Sequence, residues 1–375
     1  MGRIRFLTAG ESHGPALLVI LDGIPAGLPI TREEIDRELA RRQKGFGRGG
    51  RMAIEKDTAE ILSGVRKGQT LGSPIALLVR NIDWENWKEV MEIEPGKEAA
   101  PVTTPRPGHA DFAGSMKFGF LDVRNVIERA SARETAARVA GGAVVKKLLS
   151  VFGVNIYSRV VQIGSVKDND EFIPPKDYDV IENSALRCLS SSAESKMKAL
   201  IGQARENGDS LGGIFELKAI GLPAGLGSYT QWDLRLDGLL AQAALSIPGV
   251  KGVEIGDAFR SATLFGSQVQ DEIFHSPEKG FYRKTNRAGG LEAGVTNGQP
   301  LIVRAAMKPI SSLSKPLTTV DLATKEPALA LKERSDVCAV PAAAVVGEAV
   351  TAFVIADAFL EKFGGDSISE IKSRL

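Results

Sequence analysis

Gly10-Glu11-Ser12-His13-Gly14 runs through Ala16-Leu17-Leu18-Val19-Ile20 into Gly23-Ile24-Pro25-Ala26-Gly27-Leu28, and the chain contains this phrase twice. The second version is Gly208-Asp209-Ser210-Leu211-Gly212, running through Ile214-Phe215-Glu216-Leu217 into Gly221-Leu222-Pro223-Ala224-Gly225-Leu226. The offset is a constant 198 residues, and eight of the nineteen positions are identical. Ordinary composition would give about one or two matches. The pattern reads as a duplicated turn, strand, turn unit. A second echo accompanies it: Arg129-Ala130-Ser131 opens an alanine-rich stretch to about position 149, and Arg334-Ser335-Asp336 precedes another from Pro341 to about position 363. Together they predict one continuous domain, 1–375, with pseudo-repeated halves of roughly 1–205 and 206–375.

Outward from the repeat, runs at 4–8, 16–21, 75–79, 154–163, 214–220 and 301–307 read as strands, several joined by short glycine turns that imply antiparallel hairpins. Thr31 with Glu34 predicts a capping box for a helix through Gln43, closed at Gly45. Ser191 with Glu194 predicts a second helix, and Leu236, Leu239, Leu240 and Ala243 a third, ended by Pro248. The stretches around Val139-Ala140-Gly141-Gly142-Ala143 and Ala342-Ala343-Ala344-Val345-Val346-Gly347 are small or apolar nearly all round, as in helices buried on every face. The expected class is α+β: an internally duplicated β-α-β sandwich with a helical core flanked by antiparallel sheets.

Two of the three histidines lie in glycine-framed turns, His13 in Gly10-Glu11-Ser12-His13-Gly14 and His109 in Arg106-Pro107-Gly108-His109-Ala110-Asp111. The repeat supplies an internal control, because Leu211 stands where His13 does. The turn does not need an imidazole to fold, so His13 points to chemistry. Histidine exchanges protons near neutrality, while arginine stays cationic and grips carboxylate or phosphate through a planar fork. Arg41, Arg42, Arg48 and Arg51 flank Gly45-Phe46-Gly47, Arg106 precedes His109, and Arg129 and Arg133 are spaced as one helical turn. A bound polyanion would explain that density, and a solvated ion-pair face with Glu128 and Glu134 is the alternative. His275, in Asp271-Glu272-Ile273-Phe274-His275, reads as structural.

Charge and composition exclude several classes. With 47 basic and 46 acidic residues, no global field draws nucleic acid or membrane, and Arg48-Gly49-Gly50-Arg51 lacks the aromatics of an RNA-binding segment. Two cysteines cannot build a disulfide framework. There is no metal-ligand spacing, Walker loop or dinucleotide fingerprint. The chain opens without a signal or transit pattern, so cytoplasm is the expected location. Gly10-Glu11-Ser12-His13-Gly14 also satisfies the serine hydrolase elbow, but that elbow must lead from a strand to a helix, and residues 16–21 read as another strand.

Longer motifs carry a resemblance. Gly10-Glu11-Ser12-His13-Gly14 leading to Asp22-Gly23-Ile24-Pro25, Glu128-Arg129-Ala130-Ser131-Ala132-Arg133-Glu134-Thr135, and Arg334-Ser335-Asp336-Val337-Cys338 leading to Glu348 closely resemble the chorismate synthase family. Arg106-Pro107-Gly108-His109-Ala110-Asp111, Ile247-Pro248-Gly249-Val250-Lys251-Gly252 and Lys308-Pro309-Ile310 do so as well, with Ala293 standing where that family usually has glycine. The resemblance implies an anti 1,4-elimination of phosphate from 5-enolpyruvylshikimate 3-phosphate, giving chorismate, with reduced FMN required although the reaction has no net redox change. It implies that His13 protonates the departing phosphate, that His109 keeps the reduced flavin in its protonation state, and that Asp336 accepts a proton from the flavin's N5 region. By the same resemblance Arg129, Ala130, Ser131, Gln242, Ala243, Gly294, Lys308, Pro309, Ile310, Ser311, Ser312 and Arg334 match FMN-contacting positions. Arg42 and Arg48 match positions linked to substrate or NADPH. A homotetramer is implied, with NADPH a candidate reductant and an external flavin reductase a candidate partner. The alternative is a non-catalytic flavin-binding scaffold, against which the retention of all three proton-handling residues argues.

Overall fold

The structure is a computed structural model that describes residues 3–49, 55–95 and 99–375. Gly50 and Arg51 lie outside the described residues. The fold is α+β. One antiparallel sheet takes the order Arg5–Ala9, Ala16–Asp22, Ile75–Arg80, Ala59–Ile61, and a second takes Val250–Ile255, Leu301–Met307, Gly213–Ile220, Asn155–Ile163, Val166–Lys167. The first sheet packs on the helix Thr135–Val151, the second on the helix Val340–Phe363, and the two helices pack on each other. Strict alternation makes this possible: Leu17, Val19, Leu21, Ile75, Leu77 and Val79 all turn one face inward and are fully buried. Among the described residues, Val340–Phe363 is the one helix long and apolar enough to cross a membrane, and it is almost wholly buried inside the fold.

Small residues let the central helices approach. A Cβ on Gly142 would stand 2.4 Å from the Ala349 Cβ, and one on Gly347 would stand 2.7 Å from the Phe215 ring. Gly142→Val should therefore overpack the helix crossing and cost about 1–3 kcal/mol or more. A lowered thermal midpoint would register it, and an unchanged midpoint would contradict so tight a crossing.

The repeated phrase occupies matching places in the two sheets. Leu18 faces Leu78 in the first, and Glu216, its counterpart 198 residues on, faces Arg304 in the second. The identical Pro-Ala-Gly-Leu segments share one bonding scheme. Thr70 Oγ1 donates to Pro25 O at 2.6 Å and accepts from Leu28 N at 2.9 Å. Thr296 Oγ1 donates to Pro223 O at 2.7 Å and accepts from Leu226 N at 2.8 Å. Outer faces differ, however. The row Ala9, Leu18, Leu78 is apolar up to Glu60 on the edge strand, whereas Arg159, Glu216, Arg304 and Glu254 form a charge-alternating ladder with contacts of 3.1, 2.8 and 3.5 Å. The strand Asn155–Ile163 precedes residue 205 yet joins the second sheet, so sheet membership divides near residue 153.

Strand positions agree with the sequence reading to within about a residue, and the Thr31/Glu34 capping box is formed. Two expectations are corrected. The helix at Ser191–Glu206 is capped by Ser190, whose side chain accepts from Ala193 N, while Glu194 turns to Ser184 and Lys198. The stretch from Arg129 is not one helix: Arg124–Ala130 ends at Ser131, whose ψ of 142 is extended, before a short 3-10 turn and Thr135–Val151. Arg129 and Arg133 therefore do not stack. Arg129 is exposed and donates to the Thr8 and Gly10 carbonyls, whereas Arg133 is buried on Asp57 and Asn81.

Candidate active site

His13 sits in the turn between the hairpin strands Arg5–Ala9 and Ala16–Asp22. Gly10 is obligatory there, at φ +105 with the position of a Cβ only 2.3 Å from Ala16 O. Ser12 N donates to Glu128 O at 2.9 Å, and His13 N donates to Glu128 Oε2 at 2.8 Å. The imidazole Nδ1 lies 3.0 Å from both Glu128 oxygens, and the ring stacks on Trp87 with centroids 3.9 Å apart. Because the turn joins two antiparallel strands, Ser12 is not on a nucleophile elbow. Its hydroxyl meets Ser131 Oγ at 3.1 Å.

His109 precedes the helix Asp111–Phe118, and its Nδ1 makes a short hydrogen bond to Asp111 Oδ1. Asp111 is fully buried and also accepts from Arg106 N at 3.0 Å and Arg106 Nε at 2.8 Å. Burial pushes the Asp111 carboxyl up, but the bonds from His109 and Arg106 outweigh it and hold it well below the usual aspartate range. Asp336 accepts from Gly49 N at 2.6 Å and faces Arg48 Nη1 at 3.3 Å. It does not cap the last long helix, whose N-cap is Ala339.

These three groups line one cavity of about 900 Å³, together with Arg42, Arg48, Ala130, Ser131, Lys308, Pro309, Ile310, Ser311, Ser312 and Arg334. Arg129, Gln242, Ala243 and Gly294 are not in its wall. Gln242 and Ala243 belong to the helix Leu236–Leu245, one turn before the wall residues Leu245 and Ser246. Gly294 packs against Arg235, beside Ala293, which holds the left-handed φ of 51 that explains a preference for glycine there. His275 lies in the exposed hairpin strand Ile273–Ser276, outside the cavity wall.

The wall is strongly cationic. Nine lining residues are Arg or Lys, against the two carboxylates Glu333 and Asp336. Arg133 binds Asp57 Oδ1 at 2.5 Å while Arg42 reaches Asp57 Oδ2 only at 3.4 Å, so two buried guanidinium groups share Asp57, with Glu55 3.7 Å from Arg133. Burial pushes Arg42 down to about 9, Asp57 offsetting and Arg133 and Arg48 adding to that effect. Basic groups outnumber acidic ones in the wall itself, which suits an incoming anion. The wall also carries an apolar strip of Leu245, Ile247, Pro248 and Met307.

Sequence reasoning missed Trp87, Arg124, Lys251, Lys332 and Glu333. Trp87 follows the short 3-10 turn Ile82–Asn86 and carries no periodic signal. The alternative of a solvated ion-pair face with Glu128 and Glu134 does not hold, because both are buried, Glu128 on His13 and Arg124 and Glu134 on Thr8 and Arg138.

Two imidazoles in the wall of one basic, partly apolar cavity fit the class of enzymes that move protons on a polyanion. Comparison with known proteins narrows that class. A family model for chorismate synthase matches residues 4–360. The chain is 57% identical over 382 residues to the chorismate synthase of Aquifex aeolicus (strain VF5), covering 99% of this chain and 96% of that protein. It is 58% identical over 379 residues to that of Sulfurihydrogenibium sp. (strain YO3AOP1), covering 99% and 97%. A crystal structure of a chorismate synthase superposes with a TM-score of 0.80 at 47% identity, covering 99% of this chain and 96% of that one. The chain belongs to the chorismate synthase family. Its activity is accordingly that of a lyase of the shikimate pathway, on the route to aromatic compounds.

Proposed function

We propose that this cavity carries out the anti 1,4-elimination of phosphate from 5-enolpyruvylshikimate 3-phosphate, with reduced FMN bound beside the substrate. The observation that carries the reading is the convergence of His13, His109 and Asp336 on one cationic cavity. The residues present fit a flavin: the apolar strip suits a planar ring system, Lys308 and Arg334 suit its phosphate, and about 900 Å³ is at the large end for a single small ligand. Ala130, Ser131, Pro309, Ile310, Ser311 and Ser312 would complete its binding wall, with Arg129, Gln242, Ala243 and Gly294 as the outlying contacts. When bound, reduced FMN supplies transient electron density that eases loss of a weakly acidic hydrogen while an allylic phosphate departs.

The chain's own residues do the rest. Arg42 and Arg48 grip the acidic groups of substrate or of NADPH. His13 hands a proton to the leaving phosphate, His109 holds the flavin's protonation state, and Asp336 accepts a proton from the flavin's N5 side. Anaerobic incubation with substrate and chemically reduced FMN should release chorismate and phosphate in equal amounts, and no product would refute the reading. Replacing reduced FMN with NADPH and oxidised FMN asks who reduces the flavin. Product then means that this chain does, and its absence means that an external flavin reductase is the partner.

We further propose an internally duplicated single domain, 1–375, supported by the shared register and threonine scheme of the two sheets. The halves meet near 205 by sequence and near 153 by sheet membership. A cytoplasmic homotetramer completes the proposal. It is supported by the apolar outer face of the first sheet, where Leu7 and Ile20 are 76% and 47% exposed. Leu7→Asp should yield smaller species on analytical ultracentrifugation, and an intact tetramer would move the interface elsewhere.

A further inference from the structure

We infer that Glu128 is the positioning residue of His13: its buried carboxylate accepts a hydrogen bond from Nδ1, leaves Nε2 as the nitrogen that serves the cavity, and sets its negative charge against the ring. The inference rests on the assignment of His13 as the acid for the leaving phosphate.

Three observations converge on it. Glu128 holds His13 at both backbone and ring, with contacts of 2.8 Å to the amide and 3.0 Å to Nδ1. Trp87 covers one ring face, so the imidazole is clamped at an edge and a face. Glu128 is itself held: Arg124 Nη1 donates to Oε1 at 3.1 Å and to Glu333 Oε1 at 2.8 Å, and the Arg124 guanidinium lies over the Trp87 ring.

The charge matters as much as the aim. Arg42, Arg48, Arg106 and Arg133 share the cavity wall with His13 and oppose an imidazolium. On the near side stand Glu128 and Arg124 from one helix, Glu333 from its loop, Glu11 from the turn itself, and Asp83 bonded to Trp87 and paired with Arg334. Among the described residues, Glu128 is the carboxylate that pairs with the ring. Burial raises its carboxyl, but the bonds from His13 and Arg124 outweigh this and hold it below the ordinary glutamate value.

The test is Glu128→Gln, with Glu128→Asp as the charge-conserving control and His13→Ala as the reference. With only three histidines in the chain, ring-labelled histidine resolves each by NMR. Glu128→Gln should lower the His13 titration midpoint, because the carboxylate beside the ring is lost, and Glu128→Asp should largely restore it. The alkaline limb of turnover with chemically reduced FMN should move to lower pH by the same amount. A His13 midpoint and limb unchanged in Glu128→Gln would overturn the inference. The site assignment fails separately, through wild-type turnover in His13→Ala, and the catalytic part of the inference falls with it.

Discussion

His13→Ala should lower turnover by at least about tenfold, and up to the roughly 10²–10⁴-fold range of lost proton transfer, without loss of folding. The repeat explains why folding survives. Leu211 holds the position corresponding to His13 in a turn of the same sequence frame, so the backbone tolerates a side chain with no polar atoms. The ring lies at the cavity wall, held from behind by Glu128 and flanked by Trp87. Deleting it removes the proposed proton donor and should leave the strands intact. His109→Ala should lower turnover on the same scale, with an added cost, because Asp111 then loses one of the bonds that stabilise its buried charge. Steady-state turnover with chemically reduced FMN, read beside circular dichroism, separates chemistry from folding. Wild-type turnover in either variant would contradict its assigned role.

Glu348→Ala should be the most damaging single change to stability. Glu348 is fully buried at the middle of the helix Val340–Phe363, bonded to Arg41 Nη1 and Nη2 at 2.7 and 2.8 Å and to Ser158 Oγ at 2.6 Å, with Lys146 and Arg187 also facing it. Its removal strands the Arg41 guanidinium, itself buried, with less counter-charge. Breaking one side of such a pair costs about 3–5 kcal/mol, a large part of the total for a domain of about 5–15 kcal/mol. The pH dependence follows from the same contacts. Burial raises the Glu348 carboxyl, but Arg41 and Lys146 outweigh it and hold it well below the ordinary glutamate value. A depressed folded pKa contributes stability above the unfolded value and loses it as pH falls below that value toward the folded one. Glu348→Gln should therefore flatten the acid side of the stability curve. Urea midpoints measured across acidic pH check this, and a variant as stable and as acid-sensitive as the native chain would contradict it.

What could be read from the sequence was local. Alternation in Leu17, Val19 and Leu21 shows a strand with one buried face, Thr31 with Glu34 shows a helix start, and the doubled glycine phrase marks the histidine turn as special. What could not be read was contact between distant residues. Glu128 lies 115 positions from His13, and on a helix its side chain looks like any exposed carboxylate. The break at Ser131 was hidden because alanine and arginine both favour helix, and tertiary demands on Ser131 and Arg133 override that propensity. Gln242, Ala243 and Gly294 show the opposite limit, being nominated by family likeness yet lying outside the cavity wall of this chain.

The central claim is that one cavity holds substrate and reduced flavin against two carboxylate-held imidazoles. A crystal structure of the chain with FMN and 5-enolpyruvylshikimate 3-phosphate bound tests it most directly. The account predicts the substrate phosphate within hydrogen-bonding distance of His13, with the flavin between His109 and Asp336. Both ligands bound away from positions 13, 109 and 336 would contradict it.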